Sequence, residues 1–256
     1  MAIQFIDTHC HLYLPELKED LPAIIKRAEN EGIIRFYLPA IDSSEDGPLL
    51  KTEEDYPGKC FAMMGLHPCS VKENYQEELK TAQDWLGKRR FFGIGEIGLD
   101  YYWDRTFTKE QEIAFHEQIE WAQHYDLPVI IHSRESIDDC IGIVQEHQQG
   151  NLKGIFHCFT GSYEQAKKII DTGFHLGIGG VLTYKNSGLA TVIEKLPLES
   201  LVLETDAPYL APVPFRGKRN ESSYLKYVAE KLAGVKGVSI EEIARVTTEN
   251  AMRVFG

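Results

Sequence analysis

Residues 91–105 read FFGIGEIGLDYYWDR, and two folds compete for them. Gly93, Gly95 and Gly98 have the G-x-G-x-x-G spacing of a dinucleotide-binding turn in an open doubly wound sheet. Such a turn must lead straight into a helix whose N-terminus receives the pyrophosphate. Here Gly98 is followed by LDYYWDRTF, which is aromatic and turn-like, and helical periodicity begins only near residue 109. The match also falls on the fourth strand-like run, and the next run ends on His132 where a dinucleotide site would carry an acid. No nucleotide cofactor is expected. The glycines fit strand positions where the backbone passes close to its neighbours, with Glu96 the chemically active residue among them.

Working outward, β-rich runs at 3–9, 33–38, 60–65, 91–96, 128–132, 154–158, 174–178 and 201–206 alternate with amphipathic segments. The helical segments are 16–31, 76–89, 109–126, 136–149, 162–172, 188–196 and 222–234. In 109–126, Ile113, Phe115, Ile119 and Ala122 mark the stripe expected to be buried. A last segment, 239–254, opens with Ser239 and Glu242 spaced as a capping box. Eight β/α units at about 30 residues each is the arithmetic of an α/β protein of the TIM (β/α)8 barrel class. No linker or low-complexity tract divides the chain, so one domain over 1–256 is predicted, with the doubly wound sheet as the alternative.

With 27 basic against 39 acidic residues the formal charge is −12, which repels a polyanion and disfavours a long duplex groove. The five cysteines are scattered and contain no C-x-x-C pair, and the opening MAIQFIDTHCHL has no basic n-region followed by a long apolar stretch. No apolar run reaches the ~18 residues of a membrane span. A cytoplasmic, non-membrane protein too acidic for an extended nucleic-acid footprint is expected, and it is expected to be a monomer.

In either fold, ligands gather at the carboxyl ends of the strands. There the sequence places His9 and His11, Glu96, His132, His157 and Asp206. In H-x-H on an extended segment the two imidazoles share a face while Cys10 turns away. Four imidazoles and two carboxylates exceed the needs of one tetrahedral ion but suit two divalent cations bridged by Glu96. The expected division is His9, His11, Glu96 and Asp206 for one ion, and Glu96, His132 and His157 for the other. Two such ions bring +4 against −2 and would make the mouth attractive to phosphate.

These residues sit in blocks that together resemble the TatD family of metal-dependent deoxyribonucleases, within the amidohydrolase-like TIM barrels. The blocks are DTHCHL (7–12), GLHPCSV (65–71), GIGEIGLDYYWD (93–104), LPVIIHSRE (127–135), GIFHCFTGS (154–162), ETDAPYLAPVPFRGKRNE (204–221) and NAMRVF (250–255). The resemblance implies a 3′ to 5′ exonuclease acting on DNA, with metal ligation at the same six residues. It also implies magnesium use, whereas histidine-rich ligation favours zinc or another transition ion, with manganese a further option.

For such chemistry Asp206 is the expected proton acceptor of an activated water, with Glu96 as the central carboxylate. Glu204 shares the face of Asp206 and is expected to support the ligands from behind. His67, Arg134, Tyr101, Arg216 and Lys218 are the expected substrate contacts, with Arg219, Tyr102 and Trp103 beside them. Few basic residues imply a short footprint at a DNA end or on a single strand. The alternative keeps the barrel and the metals but hydrolyses a small amide, lactone or phosphoester.

Overall fold

The computed structural model describes residues 3–256. Among them, eight strands run in chain order: β1 (Phe5–Asp7), β2 (Ile33–Leu38), β3 (Cys60–Ala62), β4 (Ile94–Asp100), β5 (Val129–Arg134), β6 (Gly154–Phe156), β7 (His175–Ile178) and β8 (Leu201–Leu203). Parallel pairing links β1 to β3 and, separately, β4 to β8. A bridge between Met64 and Ile94 joins the two sets on one side. On the other, the Thr8 N–H and hydroxyl both donate to the Leu203 carbonyl, at 3.1 and 3.0 Å. The result is the closed (β/α)8 barrel that the periodicity predicts.

The helices are α1 (Pro15–Lys18), α2 (Leu21–Asn30), α3 (Asp46–Asp55), α4 (Tyr75–Lys88), α5 (Thr108–Tyr125), α6 (Ile137–His147), α7 (Tyr163–Asp171), α8 (Leu189–Glu194), α9 (Leu225–Lys236) and α10 (Ile240–Phe255). Strand alternation splits the core in two. Phe5 faces the helical layer, whereas Ile6 joins Tyr37, Met63, Ile130, Ile155 and Val202 inside the barrel. Ala251 and Val254 of α10 close that inner cluster, and the Phe255 ring stacks on Tyr37 with centroids 3.6 Å apart. Each fully buried aliphatic side chain contributes roughly 1.5–3 kcal/mol, so this floor is a major source of stability.

Several expectations change. The fourth strand starts three residues later than the apolar run and continues to Asp100, placing Glu96 within it. Gly98 makes the continuation possible: its φ is +134°, and a Cβ there would lie 2.1 Å from the His132 carbonyl oxygen. The 16–31 segment divides into α1 and α2, with Pro22 in the first turn of the second. Helix α3 appears where no helix is expected. Ile113 is exposed at 52%; its place in the buried face of α5 is taken by Gln111 and Gln118. Gln111 accepts from the Asp100 N–H and Gln118 from the Leu66 N–H, so these polar side chains are buried as clamps on the loops. Ser239 caps α10 as expected, but Glu242 pairs with Arg245 and does not complete the box. Among the described residues, no helix is long and apolar enough to cross a membrane.

Candidate metal centre

Glu96 is the hub of the barrel mouth. Its Oε2 lies 3.2 Å from His9 Nε2 and 3.5 Å from His11 Nε2. Its Oε1 lies 2.8 Å from His132 Nδ1, 3.1 Å from His157 Nε2 and 3.3 Å from His67 Nε2. Asp206, arriving from beyond β8, brings Oδ1 within 3.7 Å of His9 Nε2 and 3.6 Å of His11 Nε2. All six residues of the expected set thus meet at one rim, together with His67.

The grouping differs from the expected division. The atoms of His9, His11 and Asp206 lie within 4.8 Å of one another, as do those of His9, Glu96 and His157, and those of His67, Glu96 and His132. His157 stacks on His9 at 3.7 Å between ring centroids but stands 5.9 Å from His132. Cys10 is turned into the core toward the Tyr37 carbonyl, as alternation along the strand requires.

Hydrogen bonds behind the rings decide which nitrogen faces the mouth. The Tyr13 hydroxyl donates to the Pro39 carbonyl at 2.6 Å, so toward His11 Nδ1, 2.9 Å away, it acts as acceptor. The His11 proton therefore sits on Nδ1, and Nε2 offers a lone pair. Glu204 occupies the back of His157, its Oε1 lying 3.1 Å from Nδ1 while also accepting from the Cys158 N–H at 2.6 Å. Gly177 makes room for Glu204, since a Cβ there would lie 2.1 Å from Oε2. Asp100 Oδ2 stands 2.8 Å from His132 Nε2. His67 is the reverse: its Nδ1 accepts from the Cys69 N–H at 3.0 Å, so its Nε2 carries the proton and presents a donor to Glu96.

Asp206 has a separate anchor. The Asp7 carboxylate accepts from the Thr205 N–H at 2.9 Å and the Thr205 hydroxyl at 2.6 Å, fixing the residue before it. The Asp206 N–H then donates to the His9 carbonyl at 2.9 Å, in a left-handed conformation with φ 57°.

Burial and charge tune these groups in opposite directions. Burial pushes Asp206 up to about 6 against the pull of His157 and His11. Burial would also raise Glu96, but His157, His67 and His9 hold it well below the usual carboxylate range. Burial, reinforced by His157, keeps His9 well below the ordinary histidine value and so neutral.

Around the mouth, the Arg134 guanidinium lies 3.8 Å from the centre of the Tyr102 ring and 5.1 Å from that of Trp103. Tyr102 and Trp103 are 51% and 68% exposed, whereas Tyr101 packs against the core and meets Asp139. Arg216 lies 4.4 Å from the Tyr184 ring centre, and Lys218 is exposed nearby in sequence. Arg219 is engaged elsewhere, pairing with Asp20 at 2.7 Å and donating to the Glu16 carbonyl.

Sequence reasoning does not single out Asp100, Tyr13 or Asp7. The signal for Asp100 is available, since Glu96, Gly98 and Asp100 alternate on one strand. Tyr13 and Asp7 act through contacts with distant backbone, which spacing does not reveal.

Known proteins share this arrangement of chain. The family model described as TatD related DNase matches residues 6–256. An uncharacterised metal-dependent hydrolase of Bacillus subtilis, YabD, is 39% identical over 250 residues, covering 97% of this chain and 98% of its own. The crystal structure of the Escherichia coli TatD homologue YjjV superposes with a TM-score of 0.94 at 34% identity, covering 100% of this chain and 99% of that one. A protein of Pantoea ananatis named 3′-5′ ssDNA/RNA exonuclease TatD is 28% identical, covering 98% of each chain. The chain belongs to the TatD related DNase family and is a metal-dependent hydrolase of that family.

Proposed function

We propose that this chain, working as one barrel domain, hydrolyses phosphodiester bonds at the 3′ end of DNA at a site holding two divalent cations. The observation that carries this reading is the aim of the ring nitrogens: Tyr13 and Glu204 occupy Nδ1 of His11 and His157, so that each Nε2 is directed at the Glu96 carboxylate. Several imidazole nitrogens converging on one buried carboxylate suit a cation better than they suit a packed core. The candidate ligands are His9, His11, Glu96, His132, His157 and Asp206, and their nitrogen content favours zinc or another transition ion as the resting occupant. Magnesium or manganese remains compatible with the carboxylates as a working ion. Such a pair of ions would supply a water nucleophile at neutral pH and offset charge on the phosphoryl group.

The remaining work falls to the chain. Asp206, whose Oδ1 stands beside His9 and His11, accepts the proton of the attacking water. Glu96 holds the ligand set together from the centre. His67 presents its Nε2–H to a phosphoryl or leaving oxygen. Arg134 and Arg216 take flanking phosphates, and Tyr102 and Trp103 offer faces to unpaired bases. With so few free cations, the footprint is short and a monomer suffices.

The test is a metal-stripped and reconstituted protein given a 3′-labelled single-stranded oligonucleotide beside small ester and amide substrates. Mononucleotide release that requires metal and disappears in Glu96→Ala and Asp206→Ala is the expected result. Equal release by both variants, or turnover of the small substrates alone, sinks the reading.

A further inference from the structure

Asp100 divides its carboxylate between two tasks. Oδ2 lies 2.8 Å from His132 Nε2, while Oδ1 accepts from the backbone N–H groups of Tyr102 at 2.9 Å and Trp103 at 3.0 Å. The side chain is 1% exposed, and its own N–H is held by Gln111 Oε1 at 2.9 Å, so it has little freedom to favour one task over the other. The two strand ends are laced together again by the Tyr101 N–H, which donates to the Arg134 carbonyl at 2.9 Å. On the far side of this link, Tyr102 and Trp103 form the exposed aromatic face against which Arg134 rests.

We propose that Asp100 is a positioning residue that couples cation affinity at His132 to the placement of the rim loop 101–103, through its contacts to the imidazole and to the loop amides. The proposal rests on the reading that His132 ligates through Nδ1. A carboxylate accepts on both oxygens, so it can hold the proton on His132 Nε2 and the two loop amides at once. With a cation bound, Nδ1, which here stands 2.8 Å from Glu96 Oε1, is then free to give its lone pair to the ion. An amide at position 100 can serve one side only: its oxygen satisfies two loop donors, and its NH2 then faces Nε2 and drives the His132 proton to Nδ1. Coupling of this kind is reciprocal, so a substrate that settles the loop tightens cation binding by the factor that the cation tightens substrate binding.

The experiment titrates the metal-free full-length protein with zinc against a chromophoric chelator, with and without a non-hydrolysable single-stranded oligonucleotide. Wild type, His132→Ala, Asp100→Asn and Trp103→Ala are compared, and circular dichroism of each metal-free variant checks the fold. His132→Ala is expected to weaken one zinc-binding step. Asp100→Asn is expected to weaken the same step by about 10- to 100-fold, the usual effect of losing a partner behind a ligating histidine. Trp103→Ala keeps the loop amides, so it leaves zinc affinity unchanged but removes the tightening caused by the oligonucleotide. At saturating zinc, Asp100→Asn keeps a near-normal KM, whereas Trp103→Ala raises it, a split that general destabilisation would not produce.

Zinc affinity in Asp100→Asn equal to wild type, with His132→Ala weakened, overturns the coupling and leaves the metal centre intact. Wild-type affinity in His132→Ala overturns the ligand reading, and the coupling with it. Absence of any oligonucleotide effect on zinc affinity in wild type also overturns the coupling.

Discussion

The two ends of the barrel are built on opposite terms. At the floor, Ile6, Met63, Val202 and Val254 pack without a polar partner, and Phe255 stacks on Tyr37. At the mouth, five imidazoles and the carboxylates of Glu96, Asp100, Glu204 and Asp206 are crowded together, most of them buried. Burying such groups costs stability unless every charge is matched, whereas burying aliphatic groups adds it. One end therefore supports the other: a floor that contributes only to stability allows the mouth to hold a charge cluster arranged for chemistry.

The sharpest way to break this contrast is to exchange the consequences. Glu96→Ala is expected to reduce metal-dependent hydrolytic turnover by about 10³-fold or more, the scale on which removal of a central charge-handling group is felt. Phe255→Ala should do the opposite, costing about 2–3 kcal/mol by denaturant unfolding while turnover per folded molecule is retained.

A buried acid away from the mouth sharpens the comparison further. Burial, aided by Glu78 and Asp42 and opposed by a hydrogen bond from Trp85, pushes Asp46 up to about 6. Because its folded value lies above its ordinary one, the stability linked to it is full below about 3.8 and is lost as pH rises through about 6. Asp46→Asn should therefore gain about 1 kcal/mol relative to wild type between pH 5 and 7.5, read from paired urea titrations. Last and smallest is the rim: Arg216→Ala should raise KM for an oligonucleotide by about fivefold and weaken its salt dependence, as loss of one exposed charge contact does. Arg219→Ala, whose guanidinium is already committed to Asp20, should leave KM unchanged.

What the sequence discloses follows the same division. Strand runs and their polar ends are legible because a parallel barrel buries its strands on both faces and collects side chains at one rim. His9, His11, His157 and Asp206 stand just beyond such ends, whereas Glu96 and His132 lie within β4 and β5, at the ends only of the shorter runs that the sequence shows. Helix α3 is not legible, because DGPLLKTEED carries Gly47 and Pro48 in its first turn and buries only Asp46, Leu49 and Thr52. Ile113 misleads because α5 uses Gln111 and Gln118, not apolar residues alone, on its inner face. Asp100, Tyr13 and Asp7 escape because their partners are a ring, a carbonyl and a hydroxyl brought near by folding, not by spacing.

The seam and the floor have a consequence for synthesis. The first strand closes on the eighth through Thr8 and Leu203, and the inner cluster is covered by residues 251–255. A ribosome-bound chain that still lacks α10 has all eight strands but an open, greasy underside. Until those last turns emerge, the nascent protein is a target for chaperones and proteases, and premature termination near residue 240 leaves a product that quality control can recognise by its unsealed base.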